Sequence, residues 1–83
     1  MWYVYILQCA DRSLYTGIAK DLSARIHIHN QGKGAKYTRA RLPVALVYQE
    51  MANARGLALR REIEIKRLRR AAKLRLIAAA VSE

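Results

Sequence analysis

The chain begins with a predicted β-hairpin, and this feature restricts its fold more than any other. Aromatic and β-branched residues dominate Trp2 to Gln8, which predicts a strand. The segment from Cys9 to Arg12 is typical of a turn, and Ser13 to Ala19 predicts a second strand. Two antiparallel strands are therefore expected in the first 19 residues, and the rest of the chain has to cover them.

A helix and a third strand are predicted next. Asp21 is a suitable N-cap for a helix that runs to about Asn30, and the glycines of residues 31–34 then break the chain into a loop. Residues 42–50 are rich in Val, Leu and Tyr, with Pro43 near the start, where a strand tolerates proline. This segment predicts the third strand.

Two more helices complete the prediction. Asn53 can cap a helix that runs to about Leu68, and residues 69–70 form either a junction or a continuation. A last helix is predicted by apolar residues at helical spacing, which are Leu74, Ile77, Ala78 and Val81. The order β-β-α-β-α-α predicts an α+β fold, a three-stranded antiparallel sheet flanked by three helices. A chain of 83 residues has the length of one domain, residues 1–83.

The net charge indicates the class of partner. The chain has 16 Lys and Arg residues against 6 Asp and Glu, and a net charge of +10 repels itself and is expected to have a use. DNA or RNA is the favoured partner, ahead of an anionic membrane surface and of charge kept for solubility alone. No apolar run is long enough to span a bilayer, and no basic region precedes the N-terminal apolar run as in a secretory signal. We therefore expect a cytoplasmic protein with no membrane association.

Two tyrosines of the hairpin are candidate site residues. If the turn has an odd length, Tyr5 faces Gly17, and Tyr15 lies diagonally on the same side of the sheet. A turn of even length would separate the two tyrosines. Glycine opposite a tyrosine leaves room for a ligand or a backbone to approach. Packing is the more common use of tyrosine in a strand, and the pattern leaves that alternative open.

Two of the three predicted helices carry charged or titratable residues on an apolar arc. At the angular step of an α-helix, Arg25 and His29 fall on the apolar arc and are neighbours. This position indicates either a buried or bound anion or an edge of the helix where Arg25 reaches solvent, and the pattern leaves both alternatives open. Glu62 falls among apolar residues of the later helix and needs a partner, because an unpaired buried charge is unfavourable. Lys66, Arg25 and a divalent metal ion are the three alternatives. One carboxylate with waters suits Mg²⁺ shared with a phosphate.

Residues 32–41 form a basic, glycine-containing segment. Backbone amides freed by glycine suit phosphate contact, and Tyr37 is placed to stack on a base, although a solvated loop is the alternative. The segment does not match a Walker A loop, which excludes that mode of NTP binding. The candidate nucleic-acid-binding residues are Lys33, Lys36, Tyr37, Arg39, Arg41 and, on the later helix, Lys66.

These motifs together resemble the GIY-YIG nuclease family, and its small stand-alone bacterial members in particular. The matching residues, in order, are Tyr3-Val4-Tyr5, Tyr15-Thr16-Gly17, Arg25, His29-Asn30 and Glu62. Tyr3 and Val4 stand where the family name has Gly and Ile, and Thr16 replaces the second Ile. The resemblance covers nearly the whole chain.

The resemblance implies a role for each matched residue. Tyr5 helps to deprotonate the attacking water, Tyr15 positions that water or the phosphate, and Arg25 steadies the scissile phosphate. His29 is a polar helper near the site, and Glu62 binds one Mg²⁺ or Mn²⁺ ion. Tyrosine is a poor base at neutral pH because its pKa is about 10, so we expect Arg25, the metal and the net charge to lower the pKa of Tyr5.

The predicted function is that of a metal-dependent endonuclease that hydrolyses phosphodiester bonds in DNA, with RNA as the alternative substrate. Most GIY-YIG nucleases carry a second domain for target choice, and none is evident here. We therefore expect low sequence specificity, a structure-specific or single-stranded substrate, or a partner protein that supplies the target. DNA repair or recombination is the expected setting. A non-catalytic nucleic-acid-binding module on the same fold is the alternative function.

Overall fold

The hairpin predicted from the sequence is the base of the fold. The structure, a computed structural model, describes residues 1–81. Strand β1 spans Trp2–Gln8, and strand β2 spans Leu14–Ala19. The two pair antiparallel with Tyr5 opposite Gly17, so the turn has the odd-length register. Tyr15 consequently lies on the same face of the sheet as Tyr5, as that register requires.

Strand β3, Ala45–Ala52, pairs antiparallel with the other edge of β1, which gives the sheet order β2-β1-β3. The sequence prediction placed this strand too early, at residues 42–50. The backbone of Val44 is instead held by a side chain: Val44 N–H donates to Asn30 Oδ1 at 2.8 Å, and Asn30 Nδ2 donates to Val44 O at 3.1 Å. Strand pairing therefore starts at Ala45, the residue after Val44.

Three helices correspond to those predicted. Helix α1 spans Leu22–Asn30, and the carboxylate of its N-cap Asp21 accepts a hydrogen bond from the backbone amide of residue 24. Between α1 and β3 lies a fourth, short helix, α2, at Lys36–Arg39, inside the basic segment of residues 32–41, where the sequence predicted no helix. The sequence did not predict this helix because a single turn is too short to show helical periodicity.

The two C-terminal helices differ from the prediction at their ends. Helix α3 spans Arg55–Arg67, and helix α4 spans Arg70–Val81, so the residues between them form a junction. The prediction that Asn53 caps α3 was wrong. Ala54 occupies the N-cap without a side-chain hydrogen bond, and the helix is stabilised by packing of its buried face instead.

Helix α4 buries a face that matches the predicted one only in part, at Ile77. Leu76 and Ile77 pack on the core, whereas Leu74 is 42% exposed and Ala78 is exposed. Apolar residues surround much of this helix, so their spacing allowed more than one inward face. The side chain of Val81 lies outside the described residues. Within residues 1–81, none of the helices has the length and apolar character needed to cross a membrane.

The sheet is covered on both faces, and each face has its own apolar cluster. The first face carries Tyr5 and Leu7 of β1 and is covered by α1 and the segment before β3. The second face carries Val4 and Ile6 and is covered by α3 and α4. Because successive side chains of a strand point to opposite faces, β1 contributes to both clusters along its whole length. Tyr5, at the centre of the candidate site, lies on the first face, and Glu62 of the site comes from α3.

Candidate active site

Tyr5 lies in the middle of β1, and its side chain is almost entirely buried, with 1% exposed. Gly17 is its partner on β2. A Cβ atom at position 17 would lie 2.5 Å from Tyr5 Oη, which is closer than nonbonded atoms approach. Any side chain at this position would push the phenol away, so glycine is what lets the tyrosine ring extend over the neighbouring strand.

His29 meets Tyr5 from the end of α1. The imidazole is 0% exposed, and its Nε2 lies 3.0 Å from Tyr5 Oη. The ring rests against Gly34, where a Cβ atom would overlap it. Glycines on both sides therefore make room for the Tyr5–His29 pair. The inward position predicted for His29 is correct, and His27 is exposed, as expected.

The second nitrogen of the imidazole contacts α2. His29 Nδ1 lies 2.9 Å from Thr38 Oγ1, and Thr38 Oγ1 lies 2.9 Å from the carbonyl oxygen of Ala35. Thr38 is 0% exposed. Sequence reasoning missed Thr38. The residue lies in a segment whose main signal was its basic charge, and its contact with His29 depends on how the short helix α2 packs on α1. A small hydroxyl residue between exposed basic ones was the only available signal.

Arg25 lies one turn before His29 on α1 and is half-buried. Burial raises the pKa of Tyr5 above its usual 10.0, although hydrogen bonding and charge from Arg25 act to lower it. The expectation of a lowered pKa for Tyr5 was therefore wrong for the chain itself, because desolvation outweighs the nearby cation. Burial, and then the charge of Arg25, lower the pKa of His29 below 6.5, so its imidazole is neutral at physiological pH.

Tyr15 and Tyr37 cover the buried pair. The Tyr15 ring centroid lies 6.5 Å from that of Tyr5 and 5.4 Å from that of His29. Tyr37 stacks on Tyr15 at 6.1 Å, and the guanidinium carbon of Arg41 lies 3.9 Å from the Tyr37 centroid. Arg41 also donates to the Tyr37 carbonyl at 2.7 Å. A base that stacks on Tyr37 therefore has to share or displace these contacts.

Glu62 lies on α3 and is largely buried, with 16% of its side chain exposed. One of its oxygens is 3.6 Å from Lys66 Nζ, so Lys66 is its ion-pair partner among the described residues. The other oxygen takes no hydrogen bond or ion pair within residues 1–81. The charge of Glu62 reaches the site, since after burial it is one of the influences that raise the pKa of Tyr5.

The donor set of this site limits the kind of metal ion that it could hold. In the part of the chain that the structure describes, no three His, Cys, Asp or Glu side chains cluster as metal ligands. A metal ion bound here would therefore have Glu62 as its protein carboxylate and would take its other ligands from water and substrate. Mg²⁺ commonly binds in this way. The residues present thus fit one such ion.

Most of the positive charge is left unneutralised by the fold. Among the 16 Lys and Arg residues, those within 4.0 Å of a carboxylate oxygen in residues 1–81 are Arg41, Arg61 and Lys66. Near the site, the side chains of Lys33, Lys36 and Arg39 are exposed. Helix α2 consequently directs Thr38 inward and its basic residues outward. This distribution leaves a basic surface beside Tyr37.

A buried hydroxyl on the second face contrasts with those of the site. Thr16 is 3% exposed and pairs with Ile6 of β1. Its Oγ1 has no hydrogen-bond partner among the residues described. Thr16 stands where the GIY-YIG pattern has an apolar residue, so the structure shows a hydroxyl in an apolar position.

Comparison with known proteins is consistent with this arrangement. The model of the GIY-YIG catalytic domain matches residues 1–75, which include every site residue named above. UPF0213 proteins of Staphylococcus aureus strains Mu3 and N315 are each 60% identical to the chain over 75 residues, which are 90% of this chain and 92% of theirs. The solution NMR structure of the UPF0213 protein BH0048 from Bacillus halodurans is 46% identical, with a TM-score of 0.61, over 95% of this chain and 85% of that one.

Proposed function

Since the chain belongs to the GIY-YIG catalytic domain family, a nuclease superfamily, we propose that it is a metal-dependent endonuclease that hydrolyses phosphodiester bonds in DNA. The observation that carries the proposal is the buried hydrogen bond of 3.0 Å between Tyr5 and His29. A neutral imidazole is able to take up a proton, and a phenol between it and the substrate is able to relay one. Arg25 and Glu62 supply the remaining chemistry.

The relay requires no tyrosinate. The attacking water gives its proton to Tyr5 Oη as the phenol proton moves to His29 Nε2, and the resulting hydroxide forms the new bond to phosphorus. The bond from phosphorus to the leaving oxygen breaks in the same displacement, and that oxygen takes a proton from solvent water. The raised pKa of Tyr5 is then no obstacle, because the phenol is neutral before and after the transfer. The imidazolium formed at His29 is repelled by Arg25, and the negative charge of a bound phosphate offsets that repulsion.

Arg25 controls access to the relay. Because Tyr5 is 1% exposed, a phosphate first meets the more exposed Arg25 beside it. A guanidinium matches the geometry of phosphate oxygens, and it is expected to turn onto the substrate and uncover the tyrosine hydroxyl. Tyr15, above the pair, is placed to orient the water or the phosphate.

Glu62 is the proposed ligand of one Mg²⁺ or Mn²⁺ ion. Its free oxygen and its long contact with Lys66 at 3.6 Å leave the carboxylate able to bind a cation. Such an ion, when bound, supplies neutralisation of charge on the phosphate and at the leaving oxygen. Burial of Glu62 holds the carboxylate in one place relative to Tyr5.

The substrate class follows from the exposed charge. The cations Lys33, Lys36 and Arg39 lie around the site without carboxylate partners among the described residues, and such groups contact backbone phosphates in a sequence-independent way. We therefore propose weak sequence preference, with single-stranded or branched DNA as candidate substrates and RNA as the alternative. Work in DNA repair or recombination in the cytoplasm, with a partner protein that supplies the target, completes the proposal.

A second function is favoured by one observation. The hydroxyl of Tyr5 belongs to a side chain that is 1% exposed, and a domain that only binds nucleic acid has no need to uncover it. The alternative is therefore a non-catalytic binding module that uses the same basic surface.

Cleavage of labelled single-stranded, duplex and branched DNA, and of RNA, with Mg²⁺ or Mn²⁺ separates the two functions. We expect metal-dependent cleavage by the wild type, and a loss of at least about 10²-fold in both Glu62→Ala and Tyr5→Phe. Glu64→Ala is the matched control, because Glu64 lies on the same helix but is 59% exposed. That variant should cleave like the wild type.

Each outcome has a definite meaning. Binding without cleavage by the wild type would support the binding module. Cleavage that survives Glu62→Ala would remove Glu62 from the mechanism, and equal losses in Glu64→Ala and Glu62→Ala would show that the assay measures general charge effects.

A further inference from the structure

A chain of three hydrogen bonds runs from Tyr5 through His29 and Thr38 to the carbonyl oxygen of Ala35. Its distances are 3.0, 2.9 and 2.9 Å. The three side chains are at most 1% exposed, so each of their protons has to find an acceptor inside the chain of bonds. The direction in which these protons point therefore decides which nitrogen of His29 is protonated.

One direction satisfies every donor. The Thr38 hydroxyl donates to the carbonyl of Ala35, which leaves Thr38 Oγ1 as an acceptor for a proton on His29 Nδ1. His29 is neutral, because burial and Arg25 lower its pKa, so its Nε2 carries a lone pair. That lone pair accepts the hydroxyl proton of Tyr5.

The opposite direction leaves one proton without an acceptor. Thr38 would donate to His29 Nδ1, and a protonated Nε2 would donate to Tyr5 Oη. The phenol proton of Tyr5 would then have no acceptor, because His29 Nε2, the hydrogen-bond partner of this hydroxyl among the described residues, would itself be donating, and the guanidinium of nearby Arg25 carries only donors. The carbonyl of Ala35 does not decide the matter, since it also accepts the backbone amides of residues 38 and 39.

We propose that Thr38 is a positioning residue that holds His29 in the tautomer with the proton on Nδ1 and so directs the Nε2 lone pair at Tyr5. A free histidine side chain favours the other tautomer, which could donate to Tyr5 but could not take its proton. Thr38 thereby makes the imidazole a proton acceptor. It also accounts for α2, whose single turn carries Thr38 inward against the ring.

Nitrogen-15 NMR of the imidazole tests this assignment without any substrate. In the wild type at neutral pH, His29 should show a protonated Nδ1 and an unprotonated Nε2, and His27→Gln identifies which signals belong to the exposed His27. Thr38→Val keeps the shape but removes the hydroxyl, and it should move the proton to Nε2. Thr38→Ser, which restores the hydroxyl, should keep the wild-type pattern.

Two results would overturn the proposal: a wild-type His29 protonated on Nε2, or a folded Thr38→Val variant that keeps the wild-type tautomer. Circular dichroism and urea unfolding establish that the variants are folded. If Thr38→Val does not fold, the tautomer of the wild type decides the question alone.

The kinetic consequence rests on the proposed function. In the cleavage assay, Thr38→Val should lower kcat at least about 10-fold with KM unchanged, and Thr38→Ser should restore kcat. A wild type that does not cleave would refute the nuclease proposal, and the tautomer result would stand. A changed tautomer with a wild-type kcat would instead refute the link between Thr38 and the proton relay.

Discussion

The two faces of the sheet are both well buried, but they bury different chemistry. On the first face, the hydroxyls of Tyr5 and Thr38 and both nitrogens of His29 have polar partners. The second face is packed with aliphatic side chains such as Ile6, and its buried hydroxyl on Thr16 has no partner among the described residues. Both faces thus contain apolar packing, but the buried hydrogen-bonded network of Tyr5, His29 and Thr38 lies on the first face.

This separation has a physical reason. A polar group in the interior is tolerated only if its hydrogen bonds are made, and a network of such groups demands accurate positions. An apolar cluster demands only area and fit. We therefore expect substitutions in the hydrogen-bonded network of the first face to change the chemistry of the site, and substitutions in the apolar cluster of the second face to change stability alone. Four predictions test that expectation, in order of decreasing effect.

The largest effect is expected from Ile6→Ala on the second face. Ile6 is 0% exposed, and its truncation should lower the free energy of unfolding by about 2–5 kcal/mol through lost burial and the cavity left behind. Urea unfolding measures the loss. At urea concentrations below the unfolding transition, the tautomer of His29 should be the same as in the wild type. A changed tautomer would show that the two faces are coupled.

The next effect is expected at Gly34 on the first face. A methyl group there would overlap the His29 ring, so Gly34→Ala should cost about 1–3 kcal/mol and displace the imidazole from Tyr5. The matched control is Gly56→Ala in α3, where a Cβ atom has nothing within 4 Å. That substitution should stabilise the protein by about 0.5–1 kcal/mol, because alanine favours a helix. Equal shifts in the unfolding midpoint would contradict the contact at Gly34.

The same substitution on the two faces should have opposite signs. Thr38→Val removes a partner of His29 Nδ1 and should cost about 1–3 kcal/mol. Thr16→Val removes a buried hydroxyl that has no partner among the described residues, and it should add about 1 kcal/mol. Thermal and urea unfolding of both variants measure the difference. A loss of stability in Thr16→Val would indicate that its hydroxyl is satisfied by an ordered water.

The smallest effect is the dependence of stability on pH. The pKa of His29 is lowered in the folded protein, so below about pH 6.5 the unfolded chain binds a proton that the folded chain does not. Stability from this residue should therefore fall as the pH drops below about 6.5, until the pH passes below the pKa of the folded state. Urea midpoints between pH 7.5 and 5 measure the fall. His29→Gln should reduce it, and a wild-type fall that persists in full would assign it to other groups.

Local pattern predicted much of the fold and little of the site's interior. The bounds of β1 are those predicted, and β2 begins one residue later, because strand composition and turn residues act over a few positions. The helical period of α1 likewise depends only on neighbouring residues, and it correctly predicted that Arg25 and His29 lie on the side of the helix that faces the core. The helical period also singled out Glu62, and the family pattern added its metal-binding role, which stays a prediction.

Effects that depend on tertiary packing were missed. The pKa of Tyr5 is raised because the ring is buried, and no local pattern reports how deeply a strand residue is covered. Thr38 reaches His29 only because α2 folds back on α1. The late start of β3 depends on a side chain from α1, and the exposure of Leu74 depends on which side of α4 meets the sheet.

The two hydrogen bonds between the Asn30 side chain and the Val44 backbone have a consequence for hydrogen exchange. The amide of Val44 lies ahead of β3 and donates to Asn30 Oδ1 at 2.8 Å. Its proton can therefore exchange with solvent only when this hydrogen bond is broken. Asn30 directly follows His29, and its release frees the end of α1 from the sheet. The exchange rate of this one backbone proton therefore reports how often the contact between the end of α1 and the start of β3 opens in the resting protein.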